Sequence, residues 1–293
     1  MAELAMLAKL QPLPDARRLS IYRLRTPKIT IRSAKALVSR LGLEEGTVER
    51  FETDEVVGIR QGPWELSLAR ASASLRLRHK LRWQIDDGES NVDYSDREAE
   101  TIARRFVERR KLAKSSEMRL LKVARLHVAV ATLTREEHKE RAIDAGVAFQ
   151  RLVDGVPVDG PGGKLIVYLD AKREVLGFDR TWRELDRPQR RVDELRRVED
   201  ALHDVEVRWR GREGTVAIDQ VRFGYFEHGP RVEQRILQPA YVFLMTLSSR
   251  DSRIHRRTVY VAPAATNHIG QITPALRPKV RQPVRQTSRS RAD

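Results

Sequence analysis

The chain contains no cysteine among its 293 residues. That absence excludes disulfide scaffolds, thiolate zinc sites and cysteine nucleophiles together, and leaves the redox compartment open. Aromatic residues make up only 6% of the chain, and mean hydropathy is −0.53. No apolar run approaches the ~18 residues that a membrane span needs, so no transmembrane segment is expected. Met1 to Leu13 is mildly apolar but is interrupted by Glu3 and Lys9, and no small-residue cleavage site follows. It therefore reads poorly as a signal peptide, and a cytoplasmic location is the expectation. Acidic residues are outnumbered, 41 against 56 Lys and Arg, giving a net charge of +15.

What is present begins with that positive charge, which raises the question of an acidic partner. Six basic residues, Arg277, Lys279, Arg281, Arg285, Arg289 and Arg291, sit in a Pro-rich final stretch with a single acid. They could follow a phosphate backbone and release its counterions, or simply solubilise a flexible tail. The rest of the excess is spread over the preceding residues, as an arginine-rich composition alone would produce.

Helix signals occur three times. Thr30 as N-cap and Gly42 as stop bracket Ile31 to Leu41, with Ala34, Leu37, Val38 and Leu41 at helical spacing. Ser95 with Glu98 three residues on reads as a capping box opening a helix that buries Ala99, Ile102, Ala103, Phe106 and Val107. A third helix is expected over Val192 to His203. Alternating stretches predict strands at Val48–Thr53, Glu55–Arg60, Trp64–Leu77 and Lys80–Ile85, and a long one at Met118–Thr134. Others are expected at Val205–Trp209, Thr215–Phe226, Val232–Leu237, Ala240–Ser248 and Arg256–Ala262. Ile21 to Arg25 reads as an edge strand, and order is expected to fade from Pro263.

The strongest local signal is AFQRLVDGVPVDGPGGKLIVYLD, residues 148–170, with EVLGFDRTWREL after it. Asp154 and Gly155 supply the positive φ of a tight hairpin, and Gly160, Gly162 and Gly163 a second turn. Three antiparallel strands in a meander follow from this pattern. The run Gly160–Lys164 superficially looks like a phosphate loop, but Leu165 stands where Ser or Thr is needed and a strand follows instead of a helix.

Helix followed by strands thus recurs over spans 27–90, 91–186 and 188–263, after an extension at 1–26 and before a basic tail at 264–293. The expected class is α+β, each unit a helix packed on a curled antiparallel sheet. Phe149–Val158 with Gly160 and Gly163, then Leu165–Asp170 and Glu174–Phe178, resembles the PepSY and YycI-like group over about 40 residues. The resemblance implies tandem cystatin-like units and a binding, inhibitory or regulatory role, typically outside the cytoplasm beside a protease or sensor kinase. It brings no catalytic residues.

Catalytic and metal chemistry finds no motif. The seven histidines lack metal-ligand spacing, and His138 lies among Glu136, Glu137 and Glu140 in a charged segment. Asp86, Asp87 and Glu89 could chelate a cation or simply form a polar turn. No serine lies in a nucleophile elbow, and neither cofactor nor metal is expected. Phe223 and Tyr225 share strand parity and could stack bases if they faced outward. The chain is therefore expected to be a non-catalytic interaction, structural or regulatory module, with a protein partner or self-association. The alternatives are nucleic-acid or polyanion binding through the basic surface and C-terminal tail, and inhibition or regulation of a protease or sensor kinase.

Overall fold

The computed structural model describes residues 13–43, 46–82, 91–128, 140–210, 214–248 and 255–272. Among these are three α-helices and fifteen strands. In chain order they are β1 (Ser20–Leu24), α1 (Ile31–Leu41), β2 (Val48–Glu52), β3 (Val56–Gln61), β4 (Trp64–Ala69), β5 (Leu75–His79) and α2 (Asp96–Arg109). Then come β6 (Met118–Val128), β7 (Arg141–Val153), β8 (Val156–Asp159), β9 (Lys164–Leu169), β10 (Val175–Thr181) and β11 (Leu185–Arg191). The last are α3 (Val198–Trp209), β12 (Thr215–Phe226), β13 (Ile236–Leu237), β14 (Pro239–Ser248) and β15 (His255–Pro263).

The capping residues explain where the first two helices begin. Thr30 accepts from the Ser33 backbone N–H while the Ser33 hydroxyl accepts from the Thr30 N–H, closing a full capping box, and Gly42 ends α1 at φ 67°. Ser95 likewise accepts from the Glu98 N–H. Glu98 does not complete the reciprocal half, because its carboxylate reaches Arg173 at 2.6 Å.

The expected tandem of cystatin-like units, each helix on its own curled sheet, does not form. The fold is mostly β, and one sheet runs β15-β14-β12-β8-β7-β9-β10-β5-β4-β3-β2, with β6 added on β7. Two unions make it continuous: β10 pairs antiparallel with β5, and β8 pairs parallel with β12. A strand edge carries unpaired N–H and C=O groups, and these unions satisfy edges that separate units would leave open. α1 and α2 share one core with β3, β4, β5, β7, β9 and β10, while α3 covers a second core of β12, β14 and β15.

Several segments differ from the sequence reading. β1 is the middle strand of a three-stranded sheet, β11-β1-β13, with Leu19 and Ile21 fully buried, so it is not an edge. After the hairpin, β9 returns to β7 instead of β8, pairing Ala145–Gln150 with Leu169–Lys164, so the three strands do not form a simple meander. Trp64–Leu77 is two strands, because Arg70–Ser74 turn the chain, with Ala73 at φ 55°. Helix α3 starts six residues later than expected: Val192 and Leu195 precede it, Val192 donating its N–H to the Leu19 carbonyl and Leu195 bridging Ala265. Val205–Trp209 is its last turns, not a strand. Past Pro263 the chain stays packed, with Ala264, Ala265 and Ile272 buried. Trp83, Asp86, Asp87, Glu89, His138 and the six basic tail residues lie outside the described residues.

Candidate functional site

A groove of about 690 Å³ opens between the end of α1, one face of α2 and the start of β10. Its floor is apolar: Leu41 and Leu43 from either side of the Gly42 turn, Trp64 from β4, Leu77 from β5, and Ile102, Phe106 and Val175. Trp64 is fixed by an edge contact with His79 at 4.6 Å between ring centres. The rim is polar and comes from α2 at helical spacing: Thr101, Arg105 and Arg109 on successive turns, with Arg110 beside them. Thr101, Arg105 and Arg109 are exposed, so this is an open groove and not a sealed cavity.

The charges around it do not balance. Glu98 pairs with Arg173, which also approaches Asp93 at 3.8 Å, and Glu174 pairs with Arg82. The Glu98 hydrogen bond pushes the Arg173 guanidinium up. Both carboxylates of the rim are therefore neutralised, while Arg105, Arg109 and Arg110 carry no ion pair among the described residues. Arg110 buries its Nε with no acceptor, and its guanidinium lies 3.2 Å from where a Cβ on Gly42 would stand. That position faces the carbonyl end of α1, where the helix dipole favours a cation. The groove offers apolar contact and three guanidiniums. Among the described residues no histidine, serine or lysine lines it, and its other polar side chains are Thr101, Arg173 and the two paired carboxylates.

A second cluster is built from the turn residues. Asp154 and Gly155 have φ of 52° and 76°, a type I′ turn joining β7 to β8. The Asp154 carboxylate faces β1: it accepts from the Ser20 N–H at 3.0 Å, the Tyr22 hydroxyl and the Tyr225 hydroxyl at 2.7 Å. Burial first, then Asp154, pushes the Tyr22 phenol up to about 12 and raises that of Tyr225. Gly160 and Gly162 do more than turn the chain. A Cβ at Gly160 would stand 2.5 Å from the Glu227 carbonyl oxygen, and one at Gly162 2.5 Å from that of His228. Gly163, at φ 63°, has Val158 as close.

These close approaches bring in Glu227, which is 0% exposed. It accepts from the Arg183 backbone N–H at 2.9 Å and guanidinium at 3.1 Å, and Arg151 lies 3.7 Å from its other oxygen. Burial pushes the Glu227 carboxyl up, opposed by the Arg151 and Arg183 charges. Arg183 also donates to the carbonyls of His228, Gly229 and Val232, pinning the segment after β12. Lys164 sits at the start of β9, donating to Val158 and Gly162 carbonyls, with its amine pushed down by burial. It opens a strand, as the hairpin reading requires.

Neither cluster was visible as a site in the sequence. One signal existed: Arg104 has Glu100 four residues before it and pairs with it at 2.7 Å, whereas Arg105 and Arg109 have Thr101 and Arg105 there. The base-stacking reading fails, since Tyr225 is fully buried and Phe223 packs on Tyr241 at 5.7 Å. Among the described residues no group of His, Asp and Glu could hold a metal ion, and no helix is long and apolar enough to cross a membrane.

No protein-family model matches the chain, and no curated protein matches it. The solved structure of an uncharacterized protein from Eubacterium rectale ATCC 33656 is similar, with a TM-score of 0.54 at 10% identity. The likeness covers 87% of this chain and 86% of the other, and at that identity it shows a shared fold alone.

Proposed function

We propose that the chain is a non-catalytic docking module whose groove takes an acidic segment of a partner protein carrying apolar side chains. The observation that carries this is the charge imbalance of the groove, three guanidiniums without carboxylate partners among the described residues, over an apolar floor. Apolar side chains would bury against Trp64, Ile102 and Phe106, and flanking carboxylates would pair with Arg105 and Arg109, which gives orientation and on-rate as well as affinity.

Three of the edge strands are poorer routes for strand addition by a partner or a second copy. β2 exposes Glu49, Arg50 and Glu52, β11 exposes Asp186, Arg187, Pro188 and Arg190, and β15 begins with exposed His255, Arg256 and Arg257. Charges and proline on edges oppose further pairing. The test is fluorescence anisotropy with a labelled peptide alternating Glu with Leu and Phe, beside its Gln counterpart. The Glu peptide should bind and weaken with added salt, and the Gln peptide should bind at least about tenfold less tightly, a difference of 1.4 kcal/mol. Equal binding of both, or tighter binding of single-stranded DNA that survives loss of the groove arginines, would overturn the reading.

A further inference from the structure

The arginines around Glu227 form a second unbalanced site, separate from the groove. Arg151 on β7 and Arg180 on β10 lie on one face of the sheet: Phe149 and Arg180 both pair with Leu165 of β9, and Arg151 is two residues beyond Phe149. Their guanidinium carbons stand 5.2 and 5.6 Å from the centre of the Trp182 ring. Arg151 and Arg183 share the single carboxylate of Glu227. Three guanidiniums and one carboxylate leave two positive charges without compensation.

Arg180 is where the excess emerges. It has no ion pair and no side-chain hydrogen bond among the described residues, and its Nε is buried. The nearby Glu184 is taken by Arg25 at 3.0 Å. Burial, then the like charge of Arg151, pushes the Arg180 guanidinium down to about 10, and Arg40 adds to that repulsion from α1 while Glu227 and Glu184 oppose it. Arg40 is exposed and has no ion pair among the described residues. Arg151 on β7 and Arg180 on β10 thus converge on the Trp182 ring, and Arg40 of α1 is close enough to repel Arg180. Nε of Arg151 and Arg183 are also buried without acceptors. A cationic cluster of this kind is costly unless an anion joins it.

We propose that this pole binds a small oxyanion, a phosphate, sulfate or carboxylate group, held by Arg180 and Arg40 with Arg151 behind them. Planar guanidiniums present paired N–H donors matched to two oxygens of such a group, and stacking on Trp182 holds them in place for it. The bound charge would offset the excess that Glu227 alone leaves. Because Arg180 lies near the end of the core strand β10 and Arg183 pins the segment after β12, binding there would also stiffen the junction between the two halves of the sheet.

The test is isothermal titration and thermal denaturation of the full chain with inorganic phosphate, sulfate and acetate, at constant ionic strength set by chloride. Wild type should show saturable binding of phosphate or sulfate at one site and a rise in Tm, and acetate tests whether a carboxylate suffices. Arg180→Gln should weaken binding about tenfold or more, the loss expected when a member of a buried charge cluster is truncated. Arg40→Ala, at an exposed helix position that leaves the fold intact, should weaken it about threefold. Arg109→Ala in the groove should leave phosphate and sulfate binding at this pole unchanged. The proposal fails if no saturable binding occurs, or if phosphate raises the Tm of every variant equally, as an excluded salt would. It also fails if Arg109→Ala, and not Arg180→Gln, removes the binding, which would assign the anion to the groove.

Discussion

Replacing Tyr225 by Phe tests how the turn of residues 154–155 is locked to β1. The side chain is fully buried, so the change removes one oxygen and leaves the ring packing in place. The hydroxyl lies 2.7 Å from Asp154 Oδ2 and 2.9 Å from the Ser20 carbonyl oxygen, and accepts from the Ser20 N–H at 3.2 Å. With one proton to give, it donates to the carboxylate, the stronger acceptor. A hydrogen bond to a charged group contributes about 1.5–3 kcal/mol. Asp154 keeps the Ser20 N–H and the Tyr22 hydroxyl after the change, so the expected loss is near the middle of that range, about 2 kcal/mol. For a chain of this size that lowers Tm by roughly 4–8 °C. Urea denaturation should show a lower midpoint with an unchanged slope. Asp154→Asn tolerates the same positive φ but loses the charge, so a double-mutant cycle with Tyr225→Phe should give a coupling of about 1 kcal/mol or more. A loss below about 0.5 kcal/mol, or no coupling, would refute the reasoning and assign the proton to the Ser20 carbonyl.

Two further perturbations separate close approach from conformation and locate an acid-sensitive point. Gly160→Ala meets both a φ of 94° and a Cβ 2.5 Å from the Glu227 carbonyl, whereas Gly155→Ala, at φ 76°, meets nothing within 4 Å. The first should cost more, since overpacking adds about 1–3 kcal/mol to a backbone cost of about 1–2 kcal/mol, and equal urea midpoints would contradict this. His228 is pushed below its ordinary 6.5 by burial, opposed by its contact with the Ile272 carbonyl and assisted by Arg183. The unfolded chain therefore takes up that proton first, and stability present above about pH 6.5 is lost as pH falls toward the folded value. His79, lowered by burial and Arg82, acts in the same direction. His228→Gln should flatten the acid side of the stability–pH curve; an unchanged slope would show that the group does not titrate on unfolding.

Local signals carried the parts of the fold that local chemistry decides. Thr30, Gly42 and Ser95 mark helix ends because capping involves residues within one turn, and Asp154-Gly155 marks a hairpin because positive φ needs particular residue types. Thr215–Phe226 is legible from two runs of alternation, Val216 and Ile218, then Val221, Phe223 and Tyr225, whose phase changes at the irregularity between Ile218 and Gln220. The third helix slipped because Val192 and Leu195 are apolar for a tertiary reason: Val192 is buried in one core with Leu19 and Ile21, and Leu195 packs against it. Val205, Val207 and Trp209 alternate as a strand would, yet Ala201, Val205 and Trp209 fall on one helical face, and Val207 is exposed. The union of β10 with β5 and of β8 with β12 joins residues about 100 and 70 apart in sequence, a choice no window contains. The groove was hidden for that reason too. Its arginines read as a solvated helix face until Leu41, Trp64 and Val175 are brought beneath them.

The most direct test of the docking groove is a charge swap. The Glu-bearing peptide should bind wild type and lose about tenfold or more in affinity against the Arg105→Glu/Arg109→Glu variant, while a Lys-bearing peptide of the same apolar pattern should gain affinity for that variant. If both peptides bind wild type and variant alike, the unpaired arginines of α2 do not select an acidic partner and the account is wrong.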